Sequence, residues 1–370
     1  MSAPSWQADN LLPYLTPLWR TSTIYHESGM LVGEEGIPLM YEPKEILAVT
    51  NYGLNEPYLE GVDWCLREGR ICPLSGTRMP VTPVTEYYCT ERGSIEVKVE
   101  PTKAWRHLEG RGFLMFGEGD TFTKRQVAVT YTTEGTWDGP VPKDFSAKFS
   151  RTHARLEGKV PLKVLFFGDS ITYGCNASGT DRGGMIPPYM PPYPVLVKQF
   201  LETVYHTTVL YENTSVCGWN TQQALDHLEE KVCSYAPHLV VLAFGMNDYE
   251  ATPQQYGMWM DDILNQLHAR CPNTEVLLVS PMLPNPEAVW WYGAQEQFWR
   301  EQEKLTAKYP FVAYANMTVM HRHLLDKGKR YFDMTANNVN HPGDFLGRLY
   351  AQVVLATLMG NRYYEMHEER

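Results

Sequence analysis

From about residue 160 onward, short apolar runs alternate with longer segments in which apolar residues recur every three to four positions. The runs lie at 164–167, 209–211, 239–244, 276–279 and 311–314. Each is too uniformly apolar for a strand with one wet face, so the pattern predicts parallel strands covered on both sides. Between the runs, Val195, Leu196, Phe200, Leu201 and Val204 share one helical face. So do Ala224, Leu225, Leu228 and Val232, then Tyr256, Met260, Ile263, Leu264 and Leu267, and finally Phe345, Leu349, Val353 and Ala356. Strand and helix in alternation predict a doubly wound α/β domain of three α/β/α layers.

The first 140 residues follow a different pattern. Short β-prone runs at 46–50, 94–99, 112–116 and 126–132 are separated by Gly, Pro and Asn, as at 53–57 and 117–120. No amphipathic stretch of three helical turns is found there. Regular short strands with turn signals predict a β-sandwich, jelly-roll-like in form. The expected division is a β-sandwich accessory domain over 1–145, a connector over 146–160 with helical character within 144–156, and the α/β domain over 161–370.

Chemistry-bearing residues sit where the apolar runs end. The run 164–167 breaks at Gly168-Asp169-Ser170, displaying one serine at a strand's carboxyl end, where open α/β sheets place their reactive groups. A serine hydroxyl is a weak nucleophile near neutral pH; it needs a base to take its proton and donors to hold the oxyanion formed on attack. Three later blocks supply such groups: 213–218, with Gly218; 245–248, with Asn247; and 338–341, with His341. His341 suits the base. The backbone N–H groups of Ser170 and Gly218 and the side-chain amide of Asn247 suit the oxyanion donors, glycine allowing close approach and asparagine offering N–H without charge.

In content and order these four blocks resemble the SGNH (GDSL-type) hydrolase family, over roughly residues 160–360. The resemblance implies a flavodoxin-like sheet of five parallel strands. It also implies catalysis by Ser170 and His341 with Ser170, Gly218 and Asn247 as the oxyanion hole. One position departs from the family pattern, which has Asp three residues before the histidine; this chain has Asn338. Asparagine in place of the acid costs about 10⁴ in a serine-protease triad, because the imidazole is held in the wrong tautomer. The expectation is therefore a Ser-His dyad with neutral support, Asn338 or a main-chain carbonyl accepting from Nδ1 of His341. Asp333 and Asp344 are the alternative acids.

Composition narrows the setting. Forty-three acidic against thirty-two basic side chains give a net charge of −11, which disfavours nucleic acid and anionic membranes as partners. The apolar segments all fall short of the roughly eighteen residues of a membrane span. The chain opens without the basic and apolar regions of a signal peptide, and its seven cysteines form no paired C-x-x-C spacing. These features predict a cytoplasmic protein, or a secreted one if a leader has been removed, with no metal or other cofactor; assembly into oligomers is left open. The pair His321 and His323 and the basic cluster 327–330 read as solvated helix surface and helix end.

A β-sandwich ahead of an SGNH domain is similar in layout to carbohydrate acetyl esterases, so the expected substrate is an acetylated oligosaccharide or polysaccharide. Trp219, next to Gly218, and Trp290 and Trp291 are the candidate sugar-binding rings, since aromatic faces suit sugar rings. The Gly- and Pro-rich segment 174–192 reads as a functional rim. The expected reaction is removal of O-acetyl groups through an acetyl-enzyme. A lipid or short-chain acyl esterase, and a catalytically silent glycan-binding protein, are the competing functions. The short connector further predicts that residues 1–140 supply a wall of the cleft above Ser170.

Overall fold

The computed structural model describes residues 11–89, 113–288 and 291–368. The expected run at 94–99 lies outside them. The N-terminal part contributes β1 (Thr23–Val32), β2 (Ile37–Pro38), β3 (Glu45–Asn51), β4 (Trp64–Arg67), β5 (Arg70–Pro73), β6 (Val81–Thr82), β7 (Tyr88–Cys89), β8 (Phe113–Leu114) and β9 (Gln126–Thr132). One sheet has the order β3-β9-β1-β6, the second β2-β5-β4, and β7 pairs with β8. The first two sheets meet closely at Gly29: a Cβ there would lie 2.1 Å from Cγ2 of Ile37. Ile24, Val127, Val129 and Tyr131 from the first sheet and Ile37 and Ile71 from the second share one core.

The α/β part contributes β10 (Leu162–Gly168), β11 (Val209–Asn213), β12 (Leu239–Ala243), β13 (Glu275–Val279) and β14 (Val312–Ala315), all parallel, in the order β11-β10-β12-β13-β14. Alternation along β10 sends Val164 and Phe166 to one face and Leu165 and Phe167 to the other. The first face packs the helices Tyr193–Tyr205 and Asp344–Met359; the second packs Pro253–Arg270 and Phe298–Lys308. The helix expected through Ala224–Val232 is instead two pieces, Thr221–Asp226 and Leu228–Lys231. His227 lies between them, its ring nitrogen bonded to the carbonyl of Gln223, a side-chain contact that satisfies a helix end. Among the described residues no helix is long and apolar enough to cross a membrane.

The N-terminal sheets and the α/β layers share a continuous core. Fifteen of the sixteen residues of Asp344–Met359 are buried, because this helix lies between the parallel sheet and the N-terminal chain. Its Arg348 donates to the carbonyls of Tyr25 and His26, and its Gln352 accepts from the N–H of Leu18. Two expectations of solvated surface are corrected here. Lys329 is fully buried, its ammonium 2.8 Å from Glu27 and donating to the carbonyls of Ser28 and Pro38. His321 is also buried, with Nδ1 accepting from the N–H of Leu283. In both cases a polar side chain read as solvated is buried because partners distant in the sequence satisfy it.

Candidate active site

The site forms at the carboxyl ends of β10, β11 and β12. Gly168 closes β10, and a Cβ there would lie 2.5 Å from the carbonyl of Ala243, so only glycine lets the strand turn at this point. Asp169 caps the short helix Ser170–Tyr173, accepting from the N–H of Ile171. Burial pushes its carboxyl up to about 7. Ser170 thus occupies the first position of a helix, where backbone N–H groups have no partner within the helix. Its Oγ lies 2.8 Å from Nε2 of His341.

His341 is presented by a loop organised around Asn337, whose Oδ1 accepts from the N–H groups of Val339, Asn340 and His341. Nδ1 of His341 faces two acceptors: Oδ1 of Asn176 at 2.6 Å and Oε2 of Glu118 at 3.3 Å. With Nδ1–H donated to Asn176, Nε2 is left as the acceptor toward Ser170. Glu118 is half exposed. Its burial raises the carboxyl, but hydrogen bonds from His341 and Asn337, with the imidazole charge, outweigh this and hold it below the usual carboxylate range.

None of the expected orienting groups occupies this place. Asn338, in the left-handed region at φ 67°, donates to Met115 O and Tyr87 Oη, and its carbonyl accepts from Asn285. Asp333 forms a two-pronged pair with Arg330 and accepts from the N–H of Met30. Asp344 accepts from the N–H and hydroxyl of Ser178. The positive φ of Asn338 explains the first correction: the loop turns there, sending its side chain away from the imidazole. Sequence reasoning missed Asn176 and Glu118. The only local signals were an asparagine inside the Gly-rich rim and an acid between Gly117 and Gly119.

Gly218 has φ 81°, where a side chain would be strained although space is open around it. Its loop is tied to the Ser170 turn by Val216 N–H to Gly168 O and by Asn213 Nδ2 to Thr172 O. Asn247 donates one N–H to Trp219 O at 3.0 Å, which fixes the amide and leaves its second N–H available. Asp248 caps the helix Thr221–Asp226 from outside, accepting from Thr221 N–H and hydroxyl, and burial pushes its carboxyl up to about 6.

Ser170, His341, Gly218 and Asn247 converge on a cleft of about 410 Å³, with Phe116, Glu118, Arg182 and Trp291 in its walls. Phe116 and Glu118 belong to the N-terminal part, so that part does supply a wall above Ser170. Of the expected sugar-binding rings, Trp291 lines the cleft and Trp290 lies outside the described residues. Trp219 is not in the cleft wall. Beyond the left-handed turn at Gly218 its ring packs on His227, centroids 4.5 Å apart, and against Phe167. Among the described residues no three His, Cys, Asp or Glu side chains converge as metal ligands would.

The fold and these blocks define an SGNH-type hydrolase domain. Residues 166–345 match the model of the GDSL-like lipase/acylhydrolase family, the family that the four blocks resemble. Among solved structures, the chain is similar to a two-domain esterase (CEX) active on acetylated mannans, at 17% identity and a TM-score of 0.47. That match covers 62% of this chain and 56% of the other, little more than half of its length. It is also similar to Axe2, an acetylxylan esterase from Geobacillus stearothermophilus, at 18% identity and a TM-score of 0.43, covering 54% of this chain and 94% of that one. No curated protein matches the chain.

Proposed function

We propose that the protein is a serine esterase that removes O-acetyl groups from a glycan or oligosaccharide. The observation that carries this is the 2.8 Å contact of Ser170 Oγ with His341 Nε2 beside three oxyanion donors in one cleft. His341 takes the hydroxyl proton as Ser170 attacks the acetyl carbonyl, and returns it to the leaving sugar oxygen. The resulting acetyl-enzyme is then hydrolysed by water, with His341 again as base. The N–H groups of Ser170 and Gly218 and Nδ2 of Asn247 hold the oxyanion. Glu118, Arg182, Asn247 and Asn340 put polar groups in the walls, which suits a hydroxyl-rich substrate better than a long acyl chain. Rates on acetyl against octanoyl nitrophenyl esters test this: acetyl should be strongly preferred, and a faster octanoyl rate would favour a lipid esterase. Acetylated mannans and xylo-oligosaccharides are the first glycans to assay.

Asn247→Ala should lower kcat by about 10²–10³ with KM nearly unchanged, the effect of losing one oxyanion donor. A loss of Tm in proportion to activity would mean that the amide only anchors Trp219.

The support of His341 is mixed. Neutral Asn176 is the nearer acceptor and sets the tautomer; Glu118 adds the negative charge that stabilises the imidazolium. Because Asn176 remains in place and Glu118 is half exposed, Glu118→Gln should cost about tenfold to a hundredfold in kcat, well short of the ~10⁴ of a triad whose tautomer is lost. A kcat equal to that of the unaltered protein would leave Asn176 as the whole support.

A further inference from the structure

Two cysteines that the proposed chemistry does not use face each other at the base of the cleft. Cys175 follows the nucleophile helix, its N–H bonded to Ser170 O, and is buried. Cys217 immediately precedes Gly218 and is partly exposed. Their sulfurs are 3.4 Å apart, and both line the cleft with Arg182. A disulfide needs about 2.05 Å. Closing the gap moves one sulfur by about 1.4 Å relative to the other, a shift within reach of a loop side chain.

The two thiols are also unequal. A hydrogen bond from Cys175, helped by the Arg182 guanidinium, outweighs burial and holds the Cys217 thiol down to about 6. The same bond and burial push the Cys175 thiol up. An accessible thiolate beside a buried protonated thiol is the arrangement of an attacking and a resolving cysteine.

We propose that Cys175 and Cys217 form a thiol-modification site at which a low-molecular-weight disulfide switches the hydrolase off by linking the oxyanion loop to the nucleophile turn. The Cys217 thiolate attacks one sulfur of the oxidant RSSR; the S–S bond breaks and RS⁻ leaves and takes up a proton. Cys175 loses its proton to solvent and attacks Sγ of Cys217, forming the Cys175–Cys217 bond and expelling the second RS⁻. Two protein thiols are oxidised by two electrons, and the oxidant is reduced to two thiols. Drawing Cys217 toward Cys175 displaces the adjacent Gly218 N–H from its place opposite Ser170. A misplacement of about 1 Å can cost 10²-fold in rate. The switching half rests on the proposal that this cleft is the active site.

The test incubates the full-length reduced protein with oxidised glutathione, maps disulfides by peptide mass spectrometry and follows acetyl-ester hydrolysis. A Cys175–Cys217 peptide should accumulate in proportion to a fall in kcat of about 10²-fold, and dithiothreitol should reverse both. Cys175→Ser should accumulate a glutathionyl group on Cys217, whereas Cys217→Ser should show none on Cys175. Cys65 and Cys72, opposed across β4 and β5, are distinguished by the same map. Absence of the Cys175–Cys217 peptide, or its formation with the rate unchanged, would overturn the proposal. The peptide map does not depend on turnover. A protein that forms the link yet has no acetyl esterase activity when reduced would sink the esterase assignment and the switching with it, and leave the modification site standing.

Discussion

Ser170→Ala and His341→Ala should each lower kcat by about 10⁶, and the double substitution should cost no more than either one. The two side chains act as one unit: the hydroxyl is useless without the base that takes its proton, and the base has no other proton to take. Their 2.8 Å contact needs no rearrangement before reaction. Stability should change little, because Ser170 Oγ has this imidazole as its partner and the His341 backbone is held independently by Asn337. The measurement is kcat on an acetyl ester for each variant, paired with fluorophosphonate labelling of Ser170, which His341→Ala should slow as strongly. Asp333→Ala should behave differently, losing stability through Arg330 while each folded molecule keeps its turnover. If Asp333→Ala fell to the Ser170→Ala level with its fold intact, the assignment of Asn176 and Glu118 as the support of His341 would be wrong.

The second large effect falls on folding. Lys329→Met should destabilise the protein by about 3–5 kcal/mol, the cost of leaving one member of a buried ion pair uncompensated. Glu27 would keep its bonds from Tyr131 hydroxyl and Met40 N–H but lose the buried cation it pairs with. Against a total of about 5–15 kcal/mol for an ordinary domain, such a loss removes a large share of stability. Glu27→Gln together with Lys329→Met should recover much of it, since the double change leaves no buried charge. Denaturant unfolding of the single and double variants checks this; a cost below about 1 kcal/mol for Lys329→Met would mean that water reaches the pair. The pair ties β1 to the segment just before the His341 loop, so both variants also report on how firmly the N-terminal sheets hold the active-site wall.

The five parallel strands were legible as apolar runs because strands covered on both faces have no wet side on which to alternate, and all five lie within a residue or two of the expected bounds. Ser170, Gly218, Asn247 and His341, which the structure brings to one cleft, were singled out in the sequence because their four blocks, in order, resemble one family. The helix break at His227 was not legible, because the apolar spacing of Ala224 to Val232 continues through it, while His227 leaves the helical backbone conformation and its ring bonds Gln223 O. Burial of Lys329 and His321 was likewise invisible: a charged or polar residue is read as solvated unless its partner is known, and the partner of Lys329 is contributed by β1.

The amino-acid sequence by itself determined the layer order, the strand that carries Ser170 and the types of group around it, since these follow from local periodicity and from turns only a few residues long. The tertiary structure decided which acceptor faces Nδ1 of His341, where the charge near it comes from and which thiols meet. Asn176 is 165 and Glu118 is 223 residues from His341 along the chain, and Cys175 is 42 from Cys217. Hydrogen bonds and thiol exchange depend on separations of a few ångströms, which sequence periodicity does not encode. They are set only when the N-terminal sheets, the rim 174–192 and the His341 loop pack against one core.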